Sequence, residues 1–499
     1  MEIPLIFGKR RFHPFLTDVA LTGAAQGSVL ASNLVCVGIV GHLMGVVALG
    51  EFLLIRRLCA WLAAAAQLGL GTALPREIAH EGAEGEAKGR KFYLCAALIV
   101  TAAILLFSVI CSGAPRWSAN IMLGSGNVSL LYALLFLVLA TVVHTMLVSY
   151  YVGLQQMRMA NILQIVNNAA LPAIVIWATA RSQSTAVVVA AASLVQFVIA
   201  CIWSIPVLLA TKGIKLKDIT DLSRQLLNYG IRRVPADIAA GGLFTVGPVI
   251  AAHYVSADKI AFLLLGTICL TSASIAFAPL SVVLLTKVSS LLGRGRNNDV
   301  RDYVGHLRSA VMHVSFLVVT QALLFVNPTI RWWIGGTYHS ALPILCVMIL
   351  GVPGYMYFVA LRTVIDAATP VAYNTRNVVV SIAFLVTGSL AAARILPAEW
   401  LVMGVATTTT LAVCLLAFLT NRVLRQLEMG TVETSLRPFF VVAAPAMVGL
   451  AVQLSTGFNL GKIGFVLTLV FNAALLAVMI RKNQPGWLLL VGQRGLVRS

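Results

Sequence analysis

Residues 46–79 read VVALGEFLLIRRLCAWLAAAAQLGLGTALPREIA. Between Val46 and Leu74 only Glu51, Arg56 and Arg57 carry charge. About 20 mostly apolar residues suffice to cross the hydrocarbon core of a bilayer as a helix, so this stretch reads as a transmembrane span over 46–74. Its paired arginines then sit about ten residues in, roughly 15 Å deep at 1.5 Å per residue, too deep to snorkel easily. The whole chain has the same character. Of 499 residues, 59% are hydrophobic and 11% charged, against about 25% charged in soluble domains, and the mean hydropathy is +0.93. Polar surface is too scarce to cover such a core in water. An ordinary soluble enzyme and a disordered chain are both excluded.

Fourteen segments have the length and composition of membrane spans: 17–43, 46–74, 92–112, 128–152, 160–180, 185–210, 235–255, 260–289, 309–327, 340–364, 377–395, 400–420, 438–456 and 461–480. The first is too long and too polar for a cleaved signal peptide. The charges test the count. With the amino terminus in the cytoplasm and strict alternation, 28 of the 36 Lys and Arg fall in cytoplasmic segments and six outside, one in each outer segment except the first, 44–45, which has none. Only Arg56 and Arg57 remain, inside span two. A miscounted span would invert this bias downstream, and no inversion occurs. The reading is an all-α polytopic membrane protein of about 14 helices, both termini cytoplasmic. The net charge of +19 then follows the positive-inside rule and requires no nucleic acid. The eight Cys form no CxxC and no metal spacing, and read as small buried hydrophobes.

The longest loop, 212–234, is basic and partly amphipathic, and separates six spans from eight. Weak matches recur across it: Asp18 with Gly23 against Asp237 with Gly242, Phe52-Leu53-Leu54 against Phe262-Leu263-Leu264, and Lys91 and Tyr93 against Arg301 and Tyr303. The expected organisation is a six-helix lobe over 1–211, a linker over 212–234, a second six-helix lobe over 235–424, and two further helices with a tail over 425–499. Two six-helix halves related along the membrane normal are a transporter arrangement.

No phosphate loop, HExxH or GxSxG is present, and no outer loop is large enough for a catalytic domain, so an enzyme is not expected. Polarity at membrane depth remains. A guanidinium fork matches a phosphate. Arg56 and Arg57 therefore either cradle an anionic headgroup in a cavity, or belong to an internal ion pair with Glu51 one candidate, or sit in a local water defect; Glu51 is also a candidate for ion coupling or a gate. Asp18, Thr22, Gln26 and Asn33 share one face of span one, and Asn161, Gln164 and Asn168 one face of span five. Such stripes either line a cavity or join helices. Asp18 and Asp237 either cap helix starts or serve a gate or ion coupling. Arg362 and Asp366 have the spacing of an ion pair or a gate, and His144 is an interhelix hydrogen-bonder or a proton relay. Trp332 and Trp333 read as interfacial anchors, and Lys287 as a lipid-headgroup contact.

The stretch from Gly50-Glu51-Phe52 to Leu68-Gly69-Leu70-Gly71-Thr72-Ala73-Leu74-Pro75-Arg76-Glu77-Ile78-Ala79 resembles the second helix of bacterial polysaccharide flippases. With the six-plus-six-plus-two arrangement, the chain looks like a Wzx-type O-antigen or exopolysaccharide flippase of the multidrug/oligosaccharidyl-lipid/polysaccharide (MOP) exporter superfamily. The arginine–aspartate pattern near the start of the peptidoglycan lipid II flippases finds no clear match. The resemblance implies two lobes in a V, a cationic central cavity where Arg56 and Arg57 would stand, and alternating access. It also implies an undecaprenyl-pyrophosphate-linked oligosaccharide moved from the inner to the outer leaflet of the bacterial cytoplasmic membrane. No cofactor or metal is expected beyond a coupling H+ or Na+. Expected partners are membrane lipids and polysaccharide polymerase or assembly proteins, with the chain itself a monomer. The alternatives are a cation-coupled drug or metabolite exporter of the same superfamily, which would need acids deep in a lobe, and a membrane polymerase or ligase.

Overall fold

The computed structural model describes residues 14–80, 85–181, 184–211, 215–275, 288, 291–292, 294–369, 371–429, 470 and 474. Among them there is no β-strand, as a bilayer demands of a chain that does not close a barrel. Helix α1, Pro14–Ala66, has 53 residues. Unbroken it would run roughly 80 Å, well over twice the hydrocarbon thickness. Gly45 interrupts it with φ 84° and ψ −178°, a backbone that a Cβ disfavours. The break divides α1 into two spans where the sequence places the boundary, between 43 and 46.

The second span ends earlier than expected, at Ala66 and not at residue 74. Leu68 (φ 49°) and Gly69 (φ 74°) turn the chain in succession. The segment that follows, Leu70–His80, is a separate helix α2 with Leu70, Ala73, Leu74, Glu77 and Ile78 buried. Hydropathy alone misses this turn, because its residues are themselves apolar.

The first half continues with α3 (Gly85–Gly113), a short α4 (Pro115–Leu123), α5 (Val128–Gly153), α6 (Met157–Ile165), a π-turn (Val166–Ala170), α7 (Leu171–Thr179) and α8 (Thr185–Leu209). Helix α9 (Leu216–Gly230) is amphipathic and packs on α2 and α3. Then come α10 (Val234–Gly242), α11 (Val246–Ala252), α12 (Ala257–Ile275), α13 (Asn297–Trp333), α14 (Leu342–Ile349), α15 (Val352–Ala368), α16 (Tyr373–Ile395) and α17 (Ala398–Gln426). Twelve of the expected spans correspond to these elements. The remainder of span eight, Lys287 and the spans at 438–456 and 461–480 lie outside the described residues. Span seven is broken: α10 and α11 bend by 56°. Pro248 lies just past the break. It carries no N–H for the Phe244 carbonyl, and its ring crowds that group.

Helix α5 is the hub of the first half, packing on α1, α2, α3, α6 and α8. In the second half α17 packs on α11, α14, α15 and α16. The halves meet where α1 crosses α10 and α12. At the end of the molecule that holds Gly45 the meeting is backbone to backbone. A Cβ on Gly50 would lie 1.9 Å from the Ala257 carbonyl oxygen, and one on Gly124 would lie 2.1 Å from that of Ala252. Trp333 packs on Gly38 and donates from Nε1 to the Leu34 carbonyl at 2.8 Å. Tyr338 donates to the Gly41 carbonyl at 3.2 Å. Trp332 is 84% exposed. Trp333 is no free interfacial anchor, because the glycine notch on α1 accepts its ring and so ties the two halves together.

Candidate functional site

Arg56 and Arg57 lie eleven and twelve residues beyond the Gly45 break, about 16–18 Å along the helix, near the middle of a bilayer about 30 Å thick. Arg56 donates from Nη2 to Asn33 Oδ1 at 2.5 Å, and its guanidinium carbon lies 5.4 Å from the Phe52 ring centroid. Arg57 donates to Thr271 Oγ1 at 3.3 Å and lies 5.7 Å from the Phe244 ring centroid. Among the described residues neither guanidinium has a carboxylate within ion-pairing distance. Glu51 is not their partner. It lines a separate cavity of about 190 Å³ with Gly50, Gly124 and Ser256, toward the Gly45 end. Two cations at mid-span, held among the described residues only by neutral groups and aromatic faces, retain capacity for an anion.

They open onto two cavities. One, of about 290 Å³, lies between the halves and is lined by Arg56, Arg57 and Asn33 from α1 and by Thr271 and Ser272 from α12. The other, of about 260 Å³, lies inside the first half and is lined by Asn33, Arg56, Thr141, Asn168 and Gln196 among apolar side chains. Asn33, Arg56 and Ala60 border both. Arg57 faces only the cavity between the halves.

The inner cavity has a rigid polar wall. His144, 1% exposed, presents Nδ1 to Asn167 Nδ2 at 2.9 Å and Nε2 to the Asn168 amide at 3.1 Å. Asn168 also meets Gln164 at 2.9 Å and Gln196 at 2.9 Å. Asn167 donates to the Gln196 backbone carbonyl at 3.1 Å. A neutral imidazole accepts at one nitrogen and donates at the other, so one amide must turn its oxygen to the ring. Asn168 is free to do so, because the Gln164 and Gln196 amides can turn with it. Asn167 is tied by its bond to a carbonyl. His144 therefore joins α5 to the π-turn, and the two asparagines of that turn carry the network on to Gln196 of α8.

Sequence reading missed Asn167, Gln196, Thr141 and Thr271. On a regular helix Asn167 and Asn168 point about 100° apart. The π-turn at Val166–Ala170 widens the backbone so that both reach His144. It sits just before Pro172, which cannot donate to Asn168 and displaces that carbonyl.

The other expected residues disperse. Asn161 donates to Thr22 Oγ1 at 3.2 Å, joining span five to span one, and Gln26 is exposed. Asp18 lies on α1, with its side chain outside the described residues. Asp237 is in the first turn of α10, where a negative charge complements the helix dipole. Arg362 and Asp366 do not pair. Asn374 donates to Asp366 Oδ1 at 2.7 Å and to the Arg362 carbonyl at 2.7 Å, and Arg362 lies 5.9 Å from the Phe358 ring centroid. Of the cysteines, Cys414 is exposed while Cys36, Cys59, Cys95 and Cys111 are buried. Among the described residues no group of three or more His, Cys, Asp or Glu is placed to hold a metal.

Fold and cavities define a polytopic helical membrane protein with polar chambers at mid-span. No family model matches the sequence, and no curated protein matches it. Solved structures do. The chain is similar to a protein described as "Lipid II flippase MurJ, inward closed conformation", with a TM-score of 0.64, 15% identity, and 92% of this chain and 98% of that chain covered. It is similar to the inward-facing conformation of a multidrug resistance MATE family transporter of the MOP superfamily, with a TM-score of 0.64, 13% identity, and 81% and 96% covered. The chain has the fold of these proteins.

Proposed function

We propose that the protein flips an undecaprenyl-pyrophosphate-linked oligosaccharide from the inner to the outer leaflet of the bacterial cytoplasmic membrane, in O-antigen or exopolysaccharide synthesis. The observation that carries the reading is the Arg56–Arg57 pair. It is set at mid-span, opens onto a chamber between the halves and lacks a carboxylate partner among the described residues. Mid-membrane arginine is costly, and a pyrophosphate crossing at that depth would supply the missing counter-charge. A fold shared with a lipid II flippase supports a lipid-linked cargo. The tight seam at the Gly45 end supports a state closed to one side. In this reading the bodies 1–211 and 235–424 rock against each other, the basic loops face the cytoplasm, and H+ or Na+ drives the cycle through acids such as Asp18 and Asp237. The protein works as a monomer that delivers to a polymerase, and performs no bond chemistry.

The likeness to a MATE transporter favours a second reading, a cation-coupled exporter of drugs or metabolites. The paired basic residues argue against a cationic drug in the same chamber. Deletion of the gene with leaflet-resolved lipid analysis separates the two. Undecaprenyl-linked oligosaccharide accumulating in the inner leaflet is expected. Unchanged glycan export with loss of drug resistance would favour the exporter.

A further inference from the structure

The chamber between the halves and the cavity inside the first half share Asn33, Arg56 and Ala60 on their common wall, yet their chemistry differs. Arg57 belongs to the chamber alone. Among the described residues the inner cavity has one cation, Arg56, at the wall it shares with the chamber, and its other polar groups are neutral ones that both donate and accept: the Thr141 hydroxyl and the Asn33, Asn168 and Gln196 amides. The π-turn and His144 hold Asn168 in place. The rest of the lining is mostly apolar, with Leu137 one turn from Thr141 and Pro172 and Ile176 one and two turns from Asn168. Neutral amides cannot neutralise a phosphate, but they match hydroxyl and acetamido groups, which also donate and accept. An apolar face suits the C–H face of a pyranose ring. At about 260 Å³ the cavity lies just below the ~300 Å³ lower bound of small-molecule sites. It has room for one ring and not for an oligosaccharide or a polyprenyl tail.

We infer that this cavity is a sugar subsite that receives the residue next to the pyrophosphate, an N-acetylhexosamine or similar pyranose, while the pyrophosphate stays between Arg57 and Arg56. The inference rests on the flippase reading and adds to it a place where the cargo's first sugar is read. Arg56, on the wall shared by both cavities, touches both parts of the ligand. Asn33, which now accepts from Arg56, is released to the sugar when phosphate takes the guanidinium.

The test measures binding of two probes to the purified full-length protein in nanodiscs: undecaprenyl pyrophosphate, and the same lipid bearing one N-acetylglucosamine. The sugar is expected to tighten binding about tenfold or more, the yield of a few neutral hydrogen bonds. Ala192→Phe, one turn from Gln196, fills the cavity while leaving every polar side chain of its wall in the sequence. It should abolish the sugar's increment and leave the bare lipid within about twofold. Thr141→Val removes one hydroxyl at nearly constant volume and should lose part of the increment, about two- to tenfold. If the bare lipid binds but the sugar adds nothing, or if both variants weaken both probes equally, the subsite is overturned and the flippase reading stands. If the wild type binds neither probe, both fall.

Discussion

Replacing Arg57 by Ala is the most direct perturbation of the anion site. In the structure Arg57 makes one long hydrogen bond, 3.3 Å to Thr271, and a ring contact with Phe244, so its loss should disturb the fold little. Removing an arginine from mid-span relieves about 2.5–3.5 kcal/mol of insertion cost, so the variant should be at least as abundant in the membrane. Each hydrogen bond to a charged group contributes about 1.5–3 kcal/mol, and a guanidinium fork makes up to two. With Arg56 still present, the expected loss is the lower part of that range, about 2–3 kcal/mol, or roughly 30- to 150-fold in affinity for undecaprenyl pyrophosphate. Arg57→Lys keeps the charge but not the fork and should fall between. The Arg56→Ala, Arg57→Ala double variant should bind only as well as it binds uncharged undecaprenol. The assay is equilibrium binding to purified protein in nanodiscs, with abundance and monodispersity as controls. Double-variant binding of the pyrophosphate within twofold of wild type would refute the anion-cradle argument.

Other parts of the structure are equally open to test. Gly50→Leu places a side chain where even a Cβ would lie 1.9 Å from the Ala257 carbonyl. The seam at the Gly45 end should part, raising the reactivity of a cysteine introduced at Ser256 toward a membrane-impermeant maleimide, and unchanged labelling would contradict the seam. His144→Ala removes one of the two partners of the buried Asn167 amide nitrogen and leaves an N–H unpaired, at a cost of about 1–3 kcal/mol. The thermal unfolding midpoint in detergent should fall, whereas an unchanged midpoint would show that the amides do not depend on the ring. Single cysteines at Gln155 and His253, in loops of opposite predicted sidedness, should react from opposite faces of the cell membrane, Gln155 from the cytoplasm. Labelling from the same face would break the alternation inferred from the basic residues.

The crossings were legible in the sequence because burial in lipid leaves an unambiguous signature, apolar length punctuated by charge. The division of α1 near Gly45 was visible in that pattern. The turn at Leu68–Gly69 was not, since apolar residues carry it and its close approach to Gly230 is a tertiary fact. The break between α10 and α11 was signalled only by Pro248. In the site, Arg56, Arg57, Asn33 and Asn168 stood out as polarity at depth, and the structure sets all four on the walls of the two cavities. Asn167 escaped notice because only a π-turn brings adjacent asparagines onto one histidine, and Gln196 because its partners Asn167 and Asn168 are on another helix. Trp333 looked like an interfacial anchor because composition cannot reveal that Gly38, almost three hundred residues away, leaves a notch for its ring. Arg362 and Asp366 had ion-pair spacing, but Asn374 satisfies the carboxylate instead.

The central claim is that a lipid carrying a pyrophosphate-linked glycan crosses the membrane past Arg56 and Arg57. It is tested most directly with purified protein in sealed vesicles. Undecaprenyl-pyrophosphate-linked oligosaccharide is placed in one leaflet, and its arrival in the other is followed with a membrane-impermeant glycosidase. The account predicts that wild-type vesicles transfer the lipid well above protein-free vesicles, and that the Arg56→Ala, Arg57→Ala variant does not. Transfer at the protein-free rate by the wild type, or equal transfer by the variant, would contradict it.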